Sequence, residues 1–328
     1  MDKEKMKYIK KKLNPSEFKK ICDLSQGKFS SIYLVEKTST RKLLVAKVFN
    51  KNDMIVQNCK HRISWELKIL SNLDSPYFPS FIGTSQTSRT FTIYMEYFPG
   101  GDFYYWEKRI GDTSPKTSQF YMSQLVIILD KLHSQNIVYR DLKPENIILH
   151  IDGYLRLVDF GSAIALPSFT SKTYSITGTP EFSAPEIILN HGHSIAADFW
   201  SLGVMIYEFI SKENPFYEKD PIISYSRIAK GQIFFPKGFP SQAKDIVRKL
   251  MVVTPKKRLG VLSNGIDGVK EHAFFKGTDW DDMANKNVKA PLRPKLDSLR
   301  DTRYFSKYKI PKHELIEVKP SEDPFIIW

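Results

Sequence analysis

The sequence predicts an α+β chain built as two lobes, a small β-rich one followed by a larger, mainly helical one. Three observations carry this. Short β-like runs fill the first third, Pro99-Gly100-Gly101 breaks the chain, and long helical patterns dominate beyond the break.

The first runs are Phe29–Val35 and Lys42–Phe49, both rich in β-branched and aromatic residues. A helical pattern around Ile63–Leu70 comes next, then a third run, Phe91–Tyr97. After the break, Thr117–Leu132, Asp198–Ile210 and Ala243–Leu250 read as helices. A length of 328 residues suits one large domain or two packed lobes, and 41% hydrophobic residues suffice for a sizeable core. Domain bounds are expected at 1–17 (a basic arm), 18–98, 99–275 and 276–328 (a tail).

Composition excludes several classes. Cys22 and Cys59 are the only cysteines, which fits a reducing compartment rather than a disulfide framework. Neither cysteine nor histidine spacing suggests a zinc site. No apolar run approaches membrane-span length, and Asp2 rules out N-myristoylation at that place. A cytoplasmic location is expected, with the nucleus a second compartment. The net charge of +13 could mean nucleic acid or acidic lipid, but a binder of nucleotide phosphates also accumulates Lys and Arg. No nucleic-acid-binding signature accompanies it. Along 1–13, six lysines surround Met6, Ile9 and Leu13 at helical spacing, which reads as a solvated helix strapped to the core.

The densest signal is Tyr139-Arg140-Asp141-Leu142-Lys143-Pro144-Glu145-Asn146. Phosphoryl transfer through a loose transition state asks mainly for positioning and charge neutralisation. In that chemistry Asp141 accepts the proton of a substrate hydroxyl, Asn146 holds one Mg²⁺, and Lys143 reaches the transferring group. Asp159-Phe160-Gly161 follows, its carboxylate suited to Mg²⁺ against the β- and γ-phosphates of ATP, and Ala184-Pro185-Glu186 closes the segment. Each triplet is weak alone; the ordered set is specific. Upstream, Val45-Ala46-Lys47-Val48 puts a lysine in mid-strand, where it would ordinarily face solvent. Glu66, in the helical pattern Trp65–Leu70, lies where an ion pair with Lys47 is expected. The loop Leu24-Ser25-Gln26-Gly27-Lys28-Phe29-Ser30-Ser31-Ile32 keeps only Gly27 of the three glycines such loops carry, so Ser25 and Ser30 should stiffen it.

These motifs resemble the eukaryotic protein kinases, and among them the AGC group that contains the cyclic-AMP- and cyclic-GMP-dependent enzymes. The resemblance runs from about Phe18 to Trp328. Tyr139, where most kinases have His, is shared with the cyclic-AMP-dependent catalytic subunits, as is the stretch Gly178–Leu189. Phe305-Ser306-Lys307-Tyr308 resembles the group's Phe-x-x-Tyr segment beside the nucleotide pocket, and Phe325-Ile326-Ile327-Trp328 its terminal hydrophobic motif.

The resemblance implies the bilobal kinase fold: an antiparallel small lobe with one main helix, and a tail wrapping back to it. It makes Glu96 and Phe98 the hinge residues whose backbone meets adenine. Leu24, Ile32, Ala46, Met95, Ile148 and Val158 would wall the pocket, with Gly27 and Phe29 covering the phosphates. Glu186 should pair with Arg258, and Asp198 should brace the catalytic loop. Lys143 with Thr179 implies Ser/Thr rather than Tyr as acceptor. Asp102, Glu145, Glu181 and Glu208 fall where the group binds arginines preceding the target. Ser183 stands where a larger apolar side chain would shape the pocket for the residue after the target. Ser175 matches the activating phosphorylation position, with Arg140 its partner and Arg62 a second. A separate cyclic-nucleotide-binding regulatory subunit is the implied partner beside protein substrates. Two alternatives stand: a kinase like the phosphoinositide-dependent activator, suggested by Ser30, and a pseudokinase scaffold, suggested by the eroded glycine loop.

Overall fold

A computed structural model describes residues 12–27, 30–111, 113–306, 315–323 and 325. The basic arm before Lys12, with Lys28, Phe29, Lys307, Tyr308 and the final Ile326, Ile327 and Trp328, lies outside the described residues.

The chain divides into two compact units, one from residues 1–101 together with 295–328, the other from Asp102–Pro294. In the first, β1 (Phe18–Gln26), β2 (Ser30–Lys37), β3 (Leu43–Asn50), β4 (Phe81–Gln86) and β5 (Thr90–Glu96) form one sheet, ordered β1-β2-β3-β5-β4. Every neighbouring pair is antiparallel. A short helix, α1 (Lys51–Val56), leads to the longer α2 (Lys60–Leu70). Asn50 caps α1 by accepting the Asn52 N–H at 3.0 Å, which ends β3 and starts the helix within one residue.

Strand alternation sorts the side chains onto two faces. Leu44, Ala46, Val35 and Tyr94 pack on one, while Leu24, Ile32, Leu34, Val45 and Tyr97 pack on the other. Phe305, from the tail, joins the second cluster and stacks on Tyr97 with ring centroids 6.1 Å apart.

The second unit is mainly helical. Its longest helix is α4 (Pro115–His133), preceded by α3 (Phe103–Glu107) and followed by α5 (Pro185–Ile188), α6 (Ala196–Ser211), α7 (Pro221–Lys230), α8 (Ser241–Leu250), α9 (Asp267–Lys270) and α10 (Trp280–Ala284). Ser114 accepts the Thr117 N–H and Pro115 occupies the first turn, so α4 begins two residues before the apolar pattern does. Short strands β6 (Ile137–Val138), β7 (Ile147–Leu149), β8 (Leu155–Leu157) and β9 (Ile164–Ala165) pair as β6 with β9 and β7 with β8. No helix among the described residues is long and apolar enough to cross a membrane.

Candidate active site

In the second unit, the antiparallel β7–β8 hairpin fixes where the acidic chemistry sits. Asn146 enters β7 and Val158 leaves β8, and the Val158 N–H donates to the Asn146 carbonyl at 2.9 Å. Asn146 and the Asp159 that follows Val158 therefore stand at the same end of one hairpin. Asn146 donates its amide to the Asp141 main-chain oxygen at 2.9 Å and to Asp141 Oδ2 at 3.0 Å. The Thr179 hydroxyl donates to Asp141 Oδ1 at 2.9 Å, and Lys143 Nζ reaches Thr179 Oγ1 at 2.6 Å and Asp141 Oδ2 at 3.1 Å. Thr179 thus meets the Asp141 carboxylate directly. Burial raises the Asp141 carboxyl above its ordinary value; Lys143 opposes the rise and Asp159 adds to it.

Two residues here hold left-handed backbone, Arg140 (φ 70°) and Asp159 (φ 59°), an uncommon and costly conformation away from glycine. Asp198, fully buried, over-determines the first by accepting the Tyr139 and Arg140 N–H groups at 2.9 and 2.8 Å. It also meets His133 Nε2 at 2.8 Å. Gly178 sits at φ 97°, and a Cβ there would stand 2.5 Å from the Arg140 oxygen, so only glycine fits. Arg258 holds Glu186 by two bonds of 2.7 and 3.0 Å. Arg140 Nη1 donates to Ser175 Oγ at 2.6 Å, with Thr173 Oγ1 3.4 Å from the same hydroxyl. Ser183 is buried and turns its hydroxyl to the Thr179 carbonyl at 2.8 Å.

In the first unit Lys47 Nζ and Glu66 Oε1 stand 2.6 Å apart, both buried. Lys47 pairs in register with Ile32 and therefore shares the face of Leu24, Ile32 and Val45. This corrects one expectation. Ala46 points to the opposite face, against Val35, Leu44 and Tyr94, because adjacent strand residues alternate; Val45 shares the face of Lys47 instead, paired in register with Met95. Ser25 and Ser30 are strand residues, compatible with extended backbone. Gly27 closes the turn by donating to the Ser30 oxygen at 2.8 Å, and a Cβ there would meet only ordinary contacts. Glu96 already donates its N–H to Ser80. Phe98 and Ile148 are buried in their own units.

Of the acidic residues, Asp102 caps α3 by accepting the Tyr105 N–H at 2.8 Å. Glu181 is half-buried beside Thr179 in sequence. Glu145 and Glu208 are joined by a residue the motifs did not flag, Glu107, whose carboxyl burial and then their charges raise. Lys51 was missed too: it is buried against Asp323, 2.6 Å away, and Gln86, 3.0 Å away.

For a metal, no group of three or more His, Cys, Asp or Glu among the described residues could hold an ion alone. Asn146 and Asp159 offer hard oxygen donors, and a small divalent cation needs only one or two such groups when phosphates supply the rest. The residues fit.

Comparison with known proteins agrees with this geometry. The protein kinase domain model matches residues 18–275. The human cAMP-dependent protein kinase catalytic subunit PRKX is 35% identical over 292 residues, covering 89% of this chain and 81% of that protein. The Dictyostelium discoideum cAMP-dependent protein kinase catalytic subunit is 33% identical over 94% of this chain and 47% of its own length. Mouse cGMP-dependent protein kinase 2 is 35% identical over 88% of this chain but 38% of its own length. The chain belongs to the protein kinase domain family and is a serine/threonine kinase of the AGC type.

Proposed function

We propose that the chain transfers the γ-phosphate of ATP, with Mg²⁺, to Ser or Thr preceded by basic residues. The Asp141–Thr179–Lys143 triangle carries the reading. It puts a carboxylate, a hydroxyl and an ammonium within bonding distance of one another where an acceptor hydroxyl must be oriented and phosphoryl charge met. Asp141 takes the acceptor's proton, Lys143 meets the transferring group, and Lys47, steadied by Glu66, meets the α/β-phosphates. Asn146 and Asp159 would hold Mg²⁺, which offsets charge on the phosphates when bound. Because burial raises the Asp141 carboxyl, activity should fall as pH drops through that raised value.

Glu145 and Glu208 support the basic preference because burial raises both carboxyls, a cost that a guanidinium reaching them would relieve. Arg140 beside Ser175 supports phosphorylation of Ser175 as an activating step. A separate cyclic-nucleotide-binding subunit is proposed as a partner on the relatives' names alone.

The test is phosphotransfer from labelled ATP to a Ser peptide with arginines two and three residues before the target. Activity should need Mg²⁺, be lost with EDTA, and drop by orders of magnitude in a folded Asp159→Asn variant. Full turnover by that variant, or equal turnover of an acidic peptide, would refute the reading.

A further inference from the structure

Glu107 has no role in the site as described. It ends α3, is 2% exposed, and its Oε1 meets no hydrogen-bond partner. Oε2 of Glu145 is likewise buried and without a partner. Glu208, on α6, is 8% exposed and takes a 2.9 Å bond from the Asn214 amide. No cation pairs with these three carboxyls among the described residues. Lys212, just past α6, aims its Nζ at the main-chain oxygen of Glu107, 2.7 Å away.

Leaving several desolvated carboxyls together without a cation is costly, and the cost is relieved by a proton or by a bound cation. Burial first, then Glu208 and Glu145, push the Glu107 carboxyl up to about 9, with Lys212 and Lys108 opposing. Burial also raises Glu208; its Asn214 bond opposes the rise and Glu145 adds to it.

We propose that Glu107 is a further specificity residue for basic substrates, sharing a proton with Glu208 that an arginine of the substrate displaces. The proposal rests on the basic-substrate reading above. A guanidinium presents several N–H donors in a planar fork, so it can meet oxygens of more than one carboxylate at once. As it enters, the shared proton leaves to solvent and the carboxyls bind as anions. Each arginine bound this way releases a proton, so preference for arginine strengthens as pH rises toward the value at which the pair ionises.

The measurement is kcat/KM for the arginine peptide divided by that for its citrulline counterpart, a neutral isostere, from pH 6.5 to 9. The ratio cancels titration of Asp141 and other shared groups. In the wild type it should climb about tenfold per pH unit and level off near pH 9, roughly a hundredfold in all, and in Glu107→Gln it should stay flat. Calorimetry on the wild type, with a peptide carrying Ala at the target and buffers of different ionisation heat, should show proton release at pH 7.5 with arginine and none with citrulline. That second readout decides the matter even if the variant folds poorly. An arginine preference that is flat with pH and releases no proton would overturn the role of Glu107 while leaving the basic-substrate reading intact. Absence of any arginine preference would overturn both.

Discussion

Lys47 meets Glu66 and Lys51 meets Asp323, each at 2.6 Å, so the first unit cancels these buried charges within the chain. In the second unit Glu107, Glu145 and Glu208 influence one another with no salt bridge to any of them among the described residues, Lys212 and Lys108 acting only at longer range. Not all of the second unit behaves this way: Arg258 and Glu186 cancel there as completely as any pair in the first. The difference separates frame from function. A buried pair that neutralises itself holds geometry, and removing one member strands the other. Buried like charges without a counter-ion are tolerable only if something arrives to neutralise them.

The sharpest break of this comparison comes from the catalytic loop. Asp141→Asn should lower kcat/KM by roughly 10²–10⁴ in a phosphotransfer assay. It should leave the melting temperature close to wild type, because burial already disfavours the charged form there. Next, Lys47→Ala should cost about 3–5 kcal/mol in denaturant unfolding as well as activity, since it leaves Glu66 buried and alone. Lys47→Met with Glu66→Leu should recover most of the stability and none of the activity; a stable single variant would show the pair is not structural.

The tail tests the same idea with an apolar group. Phe325 is fully buried, stacks on Phe91 at 5.4 Å, and lies beneath Lys51. Phe325→Ala should cost about 3 kcal/mol by calorimetry, and an unchanged melting temperature would mean the contact is not held in solution.

The acidic cluster predicts a smaller effect of opposite sign. The Glu107 carboxyl titrates higher folded than unfolded, so its stabilising contribution is full below the unfolded value and fades as pH rises toward about 9. Glu107→Gln should therefore melt about 2–4 °C above wild type at pH 8 and close to it at pH 5. The reverse order would remove the cluster's raised titration. Smallest of all, Arg89→Ala breaks an exposed 2.8 Å pair with Glu317 and should change stability by less than about 0.5 kcal/mol.

Much of the frame was legible because it is written locally. The strands and helices that periodicity located, such as β2, β3, β5, α2, α4, α6 and α8, appear within a few residues of those bounds, and Ser114 starts α4 two residues early; β1, β4 and the short helices were not located. Ala46 is instructive because its error was avoidable. Period-2 alternation already puts Val45, not Ala46, on the face of Lys47. Glu107 is different. In sequence it is one glutamate in an amphipathic stretch and reads as solvated surface. Nothing in its neighbourhood announces a partner.

The sequence by itself supplied the candidates for the reaction, Lys47, Glu66, Asp141, Lys143, Asn146 and Asp159, because the motifs that carry them are contiguous and stand in the order of the protein kinase family. Tertiary structure alone decided which charges cancel and which remain. Lys51 finds Asp323 and Gln86, and Glu107 finds Glu145 and Glu208, across long stretches of chain. Burial and proximity, which set the cost of a charge, are properties of the folded packing and leave no periodic trace in the residues themselves.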